Sequence, residues 1–156
     1  MDWREYDTSN CSIQRALDVI GEKWTMLILR EAFNGVRRFD QIRDHVGLSE
    51  SILADRLRRL VSAGVLAASP YQEPGRRTRN EYRLTAKGLD LYPVMIALLD
   101  WGDRHCADDA GPSVDVAHRN CGERVRAVVQ CAAGHALESA RESRVEPGPG
   151  ARPLVR

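Results

Sequence analysis

The sequence lacks the features that membrane and secreted proteins need. No apolar run approaches the ~20 residues of a membrane-spanning helix. The first residues are polar and acidic, unlike a secretory signal. Only four cysteines are present, and no two of them are spaced as CxxC, which favours reduced thiols over a disulfide scaffold. We therefore expect a cytoplasmic protein with no membrane partner.

The sequence also lacks the common catalytic signatures. It contains no phosphate-binding GxxxxGK, no GxSxG nucleophile turn and no HExxH metal motif. Its carboxylates are scattered along the sequence or alternate with arginines on predicted helices. This pattern is typical of solvent-exposed helix faces and not of a catalytic site. We predict that the protein is not an enzyme.

The length of 156 residues suits one domain and an appendage. The composition changes after Cys106, where residues 107–113 are typical of a linker, and the last ten or so residues are rich in proline and glycine. We predict a domain over residues 1–106 and an appendage over residues 107–156 that ends in a disordered tail.

Residues 48–84 carry the clearest pattern. Ser49 is a predicted N-cap for a helix that ends at Gly64. That helix has one apolar stripe and an opposite polar face. Two β-like runs follow at residues 65–69 and 80–84, joined by a loop with the turn signal Pro74-Gly75 and several arginines. A helix of this kind fits the major groove of DNA, while a basic hairpin tip can reach the backbone or the minor groove.

The other predicted elements complete a small helical domain. Helices are predicted over residues 11–20 and 23–33, and a third begins with Asp40 as its N-cap. After the hairpin, Thr85 should cap a last long helix that is apolar on more than one face. We expect this helix to form a dimer interface, the alternative being that it packs only within its own subunit. The predicted fold is mainly α with a small β wing, a winged helix-turn-helix with a long C-terminal dimerisation helix.

The charge distribution indicates a DNA partner. The net charge is only +1, but residues 37–87 hold eleven lysines and arginines against six acids. A local basic field of this kind is typical of DNA-binding domains. The alternative is that the arginines are simply abundant and solvated.

Individual DNA contacts follow from the helix and the wing. Ser51 can bond a base or a phosphate and Ile52 can touch a thymine methyl group, whereas Asp55 can accept from cytosine or brace a neighbouring arginine. For Arg56, an ion pair inside the domain is an alternative to a DNA contact. The predicted DNA-binding residues are Arg38, Ser49, Ser51, Ile52, Asp55, Arg56, Arg59, Arg76, Arg77 and Arg79.

A set of positions spread over residues 11–101 matches a known family in order and spacing: Cys11, residues 21–25 and 27–29, Gly35, residues 38–39 and 48–49, Leu53, residues 56–57, Leu60, Gly64, residues 81–85 and Gly88. In these positions the chain resembles the HxlR-type winged helix-turn-helix regulators. The resemblance implies a homodimeric bacterial regulator of transcription, which we expect to be a repressor. Two recognition helices related by a two-fold axis should read a pseudo-palindrome with half-sites ~34 Å apart.

Cys11 matches a position that some members of this family use to sense oxidants or electrophiles. It precedes a helix, where the dipole can favour a thiolate. Many members have proline after this cysteine, whereas this chain has Ser12. The alternatives are an inert Cys11 beside a dimer interface, and regulation by a small-molecule effector.

The appendage contains two Cys/His pairs, His118 with Cys121 and Cys131 with His135. Ligand types and pair spacings fit a small zinc knuckle. In a zinc knuckle with the motif CxxCG, a first cysteine at Cys131 would be followed by a second cysteine at position 134. This chain has Gly134 there, and the potential ligand His135 comes one residue later, which indicates a degraded site. The sequence thus leaves two other functions open, a winged-helix protein-interaction module and a zinc-dependent sensor.

Overall fold

The computed structural model describes residues 2–154 and contains six α-helices, two short 3₁₀ turns and one two-stranded antiparallel sheet within that range. The bounds of the helices and strands are α1 Ser12–Ile20, α2 Lys23–Phe33, α3 Phe39–Val46, α4 Glu50–Ser62, β1 Leu66–Tyr71, β2 Arg79–Leu84, α5 Ala86–Leu89 and α6 Tyr92–His105. The predicted class, mainly helical with a small β wing, is confirmed.

Helices α3 and α4 form the helix-turn-helix. Gly47 joins them in a left-handed conformation with φ of 75°, which glycine adopts without a steric penalty. Ser49 then caps α4, and its hydroxyl accepts a hydrogen bond from the Ile52 amide at 3.4 Å. Ser49 is the cap that the sequence predicts for this helix.

The core lies beneath α4 and the start of the wing. Its fully buried apolar side chains come from α2, α3, α4 and β1: Ile28, Leu29, Ile42, Leu53, Leu57, Leu60 and Leu66. Burying a side chain of this size contributes roughly 2 kcal/mol relative to leaving it in water. The apolar stripe of α4 therefore anchors the helix and leaves its opposite face to solvent.

The wing is the β1–β2 hairpin. Its register pairs Leu66 with Leu84 at the base and Tyr71 with Arg79 near the tip. A third segment joins its edge, because Arg38 forms a β-bridge with Glu81 and the Tyr82 amide donates to the Arg37 carbonyl at 2.8 Å. The wing is thus hydrogen-bonded to the chain just before α3.

Two local predictions are wrong. The N-cap of α3 is Arg38 and not Asp40, because Arg38 is extended in its bridge to the wing and the helix begins immediately afterwards. The helix after the wing is also interrupted: Thr85 caps the short α5, and α6 begins only at Tyr92. Pro93 then falls in the first turn of α6, where its missing N–H leaves no hydrogen bond unmade.

The chain divides into two compact units. One spans Asp7–Tyr92, and the other combines the residues up to Tyr6 with those from Pro93 onward. In the second unit, Asp100 accepts from the Ala127 amide at 2.7 Å and Asp103 pairs with Arg124. The boundary expected at residues 106/107 falls inside this unit, because these contacts join α6 to the segment that follows it.

The C-terminal tail makes contacts as far as it is described. The Leu154 amide donates to the Glu5 carbonyl at 2.7 Å, within the second unit. Val155 and Arg156 lie outside the described residues. None of the helices within residues 2–154 combines the length and the apolar character that a membrane span requires.

Candidate nucleic-acid interface

The outer face of α4 is the base-reading surface that the sequence predicts. Ser51 and Ile52 are exposed in its first turn, and Arg59 is exposed further along. The Ser49 hydroxyl lies 3.3 Å from that of Ser51 as well as capping the helix. A polar surface with one exposed aliphatic group can offer both hydrogen bonds and a methyl contact to base edges.

Asp55 lies in the middle of this face and is surrounded by guanidinium groups. Its carboxylate is 2.9 Å from Arg59 Nε, 3.1 Å from Arg58 Nη1 and 3.6 Å from Arg56 Nη1. Of the two roles that the sequence allows for Asp55, bracing neighbouring arginines is the one with contacts in this structure.

Arg56 points inward. Its side chain is only 16% exposed, and its Nη2 lies 3.2 Å from Glu22, in the turn between α1 and α2. Its Nε is buried without a hydrogen-bond partner in the described part of the chain. The structure therefore places Arg56 in the alternative role, an ion pair inside the domain that ties α4 to the α1–α2 turn.

The wing tip is a type II turn. The Arg76 amide donates to the Glu73 carbonyl at 3.0 Å, across Pro74 and Gly75, and Gly75 has a φ of 75°. Arg76 lies 3.7 Å from the Glu73 carboxylate, and Arg77 is exposed beside it. The turn therefore presents two guanidinium groups at the end of the hairpin.

Arg38 and Arg79 connect the wing to α3. Arg38 lies over the Tyr71 ring, 4.7 Å from its centroid, and donates to Glu73 at 2.6 Å. Arg79 donates to Asp40 at 3.4 Å. Except for Arg56, the predicted DNA contacts thus lie on the exposed side of α4, on the wing, or between the wing and α3.

Glu31 is a buried carboxylate that sequence reasoning missed. It lies 2.6 Å from His45 Nδ1 and 2.7 Å from Arg30 Nη2, so it connects α2 to α3. Burial raises the pKa of Glu31, but hydrogen bonds from His45 and Arg30 outweigh this effect, and the net pKa lies below the usual value. The burial of Glu31 could have been inferred from the sequence, because Glu31 lies three residues after Ile28 and therefore on the apolar face of α2.

Cys11 occupies the N-cap position of α1 and is partly buried. Its amide donates to the Thr8 carbonyl at 2.8 Å, and its carbonyl accepts from the Arg15 amide at 3.0 Å. The thiol is therefore held at the start of a helix, as the sequence predicts.

The Cys/His residues of the appendage lie in two separate pairs. His118 Nδ1 is 3.1 Å from Cys121 Sγ, and Cys131 Sγ is 3.5 Å from His135 Nδ1. Backbone amides, above all that of His135, lower the pKa of the Cys131 thiol. Within residues 2–154, no three or more Cys, His, Asp or Glu side chains come together as a metal site. The four predicted ligands are thus not assembled into one site.

Comparison with other proteins shows consistent similarity to transcriptional regulators. The chain is 42% identical over 139 residues to the uncharacterised HTH-type transcriptional regulator Rv3095 of Mycobacterium tuberculosis, covering 89% of this chain and 87% of that protein. It is 30% identical over 106 residues to the uncharacterised HTH-type transcriptional regulator YdeP of Bacillus subtilis, covering 67% and 81%.

Solved structures agree with this. The crystal structure of PA1607, a proposed transcription factor, matches with a TM-score of 0.79 and 38% identity over 90% of this chain and 96% of that one. The redox regulator HypR in its reduced form matches with a TM-score of 0.53 and 26% identity over 59% and 90%. Residues 19–110 match the family model described as HxlR-like helix-turn-helix. The chain therefore belongs to the HxlR-like family of winged helix-turn-helix transcriptional regulators.

Proposed function

We propose that the protein is a homodimeric repressor that binds a pseudo-palindromic operator. The observation that supports this most is the arrangement of one unit, Asp7–Tyr92, in which an exposed helix face and a basic wing tip are held by a shared core. Helix α4 enters a major groove, and Arg76 and Arg77 contact the phosphates or the minor groove beside it. Two copies read half-sites about 34 Å apart.

Exposed apolar stripes support the dimer. Ile13 and Leu17 are exposed one turn apart on α1, and Val94, Leu98 and Trp101 are exposed along one face of α6. Such stripes on a water-exposed helix are typical of surfaces covered by a partner. Because most oligomers are symmetric, the partner we propose is a second copy of this chain.

Leu98→Glu should make the protein monomeric. The side chain is 51% exposed in the centre of the α6 stripe, and a carboxylate there cannot be covered by apolar groups without a large desolvation cost. A monomer can contact only one half-site. Its affinity for the operator should therefore be about a hundredfold lower, since two linked DNA-binding units bind far better than one. Size-exclusion chromatography with light scattering measures the state. Val145→Glu, at an exposed valine outside the helix, is the control. A dimeric Leu98→Glu protein would place the interface elsewhere.

We also propose that the dimer responds to a thiol oxidant at Cys11, or to a small ligand bound between subunits. The position of Cys11 at a helix start supports the thiol response, as does the similarity to a redox regulator. The metal-dependent alternative has less support, because its four ligands lie in two separate pairs.

Fluorescence anisotropy on DNA from the upstream region of the gene tests the proposal. We expect binding about a thousandfold tighter than to a scrambled duplex, and loss of that binding after a mild thiol oxidant. Cys11→Ser should bind equally well and ignore the oxidant, whereas Cys106→Ser, which removes an exposed thiol, should behave as wild type. Specific binding that ignores the oxidant excludes the thiol switch and keeps the repressor. No preference for any upstream duplex argues against a self-regulating repressor.

A further inference from the structure

Most arginines between residues 37 and 87, in the unit Asp7–Tyr92, lie beside carboxylates of the same chain. Eight of those between residues 37 and 87 lie within 4.0 Å of a carboxylate oxygen: Arg38, Arg43, Arg56, Arg58, Arg59, Arg76, Arg79 and Arg83. Arg37 and Arg77 have no such partner among residues 2–154. The basic excess counted from the sequence is therefore largely engaged before any DNA arrives.

Two carboxylates are shared by several arginines on the surfaces that face DNA. Asp55 on α4 lies 2.9 Å from Arg59 and 3.1 Å from Arg58. Glu73 in the wing lies 2.6 Å from Arg38 and 3.7 Å from Arg76. A guanidinium group binds carboxylate and phosphate oxygens with the same planar donors. Each of these two carboxylates thus engages donors that a DNA phosphate would use.

We propose that Asp55 and Glu73 limit the affinity of the protein for the DNA backbone by competing with phosphates for these arginines. The proposal rests on the DNA-binding function above and adds a role for two acidic residues within it. Binding to random DNA comes almost entirely from phosphate contacts. A phosphate must displace the carboxylate from each arginine and then lie beside its negative charge, so random duplex is held weakly and released quickly.

A second interpretation predicts the opposite sign. If Asp55 and Glu73 serve only to hold the arginines in a geometry that suits DNA, removing either charge should loosen the arginines and weaken binding. Arg38 makes this a real alternative, because its contacts with Tyr71 and Glu73 orient the wing. Tighter binding after removal of either charge would therefore support competition with phosphates, and weaker binding would support orientation of the arginines.

The test measures binding of Glu73→Gln and Asp55→Asn to a short duplex of random sequence by fluorescence anisotropy, between about 50 and 200 mM salt. Each change removes one negative charge and keeps the shape of the side chain. We expect both variants to bind roughly tenfold more tightly at low salt. The slope of log affinity against log salt should be steeper by about 1 for each additional phosphate that a released arginine binds. Thermal melting checks that the fold is unchanged.

Glu146→Gln is the matched control. Glu146 forms an exposed pair with Arg144 at 3.0 Å in the other unit, so the variant has the same change in net charge away from α4 and the wing. Its affinity should equal that of the wild type. Unchanged or weaker binding by folded Glu73→Gln and Asp55→Asn would overturn the proposal that these carboxylates compete with phosphates. It would not contradict the DNA-binding function. A wild-type protein that binds no duplex even at low salt would overturn both.

Discussion

Gly88→Ala is expected to destabilise the protein by about 3 kcal/mol, because overpacking against rigid backbone costs this much. A Cβ at this position would lie 2.2 Å from the Val65 carbonyl oxygen and 3.0 Å from Leu84 Cδ2. The carbonyl cannot easily retreat, since it accepts hydrogen bonds from the Thr85 amide at 3.1 Å and the Thr85 hydroxyl at 3.2 Å. The change therefore forces α5 away from the base of the wing.

Thermal unfolding measures the effect, with an expected decrease in Tm of roughly 10 °C for a domain of this size. Gly102→Ala is the control, because Gly102 lies within α6 and a Cβ there would have no neighbour within 4 Å. Alanine is the better helix former, so that variant should be as stable as the wild type or more stable by up to about 1 kcal/mol. A Gly88→Ala protein that melts with the wild type would show that α5 does not pack this tightly in solution.

Reversing Arg76, Arg77 and Arg79 to glutamate should lower affinity for any duplex by more than about a hundredfold. The slope of log affinity against log salt should also fall by about 0.9 for each phosphate that is no longer bound by an arginine. Arg77 has no carboxylate partner within residues 2–154, so it can turn toward a phosphate at little cost, whereas Arg76 must first leave the Glu73 carboxylate, 3.7 Å away. Because Arg79 lies 3.4 Å from Asp40, its reversal also places two acids side by side.

Arg77→Glu alone should account for a substantial part of the loss without disturbing an ion pair. The control reverses Arg119, Arg126 and Arg141, which are exposed in the other unit, and has the same net charge as the triple wing variant. Anisotropy with random and upstream duplexes gives the affinities. Full DNA binding by the triple wing variant would contradict a DNA-contacting wing. The protein-interaction alternative predicts instead that the wild type binds neither duplex.

The sequence was sufficient where local chemistry decides the structure. The cap at Ser49, the turn at Pro74-Gly75 and the apolar stripe of α4 all depend on neighbours within a few residues along the chain. Resemblance to a known family added the expected role in transcription. It also singled out Cys11 as a candidate sensor of oxidants, although the sequence could not say whether the thiol reacts.

What the sequence could not predict depends on how helices meet. The Glu31–His45 contact joins residues 14 apart, and the Arg56–Glu22 pair joins residues 34 apart. Neither can be inferred until the crossing of the helices is known. The sequence allowed Asp55 to brace a neighbouring arginine, but it could not identify the partners of Arg38 and Arg79. The Arg38–Glu73 and Arg79–Asp40 pairs join residues 35 and 39 apart. Asp40 was misassigned for a similar reason, since the wing determines where α3 begins.

The bridge between Arg38 and Glu81 has a consequence for engineering. Because the hairpin is hydrogen-bonded to the residues just before α3, it is not a detachable module. A chimera that exchanges the hairpin between two relatives, in order to change which promoters they recognise, must transplant residues 37–38 along with residues 66–84. Without them, the transplanted hairpin would pair with residues 37–38 of the other relative. Its angle to α3 would then differ from that in either parent.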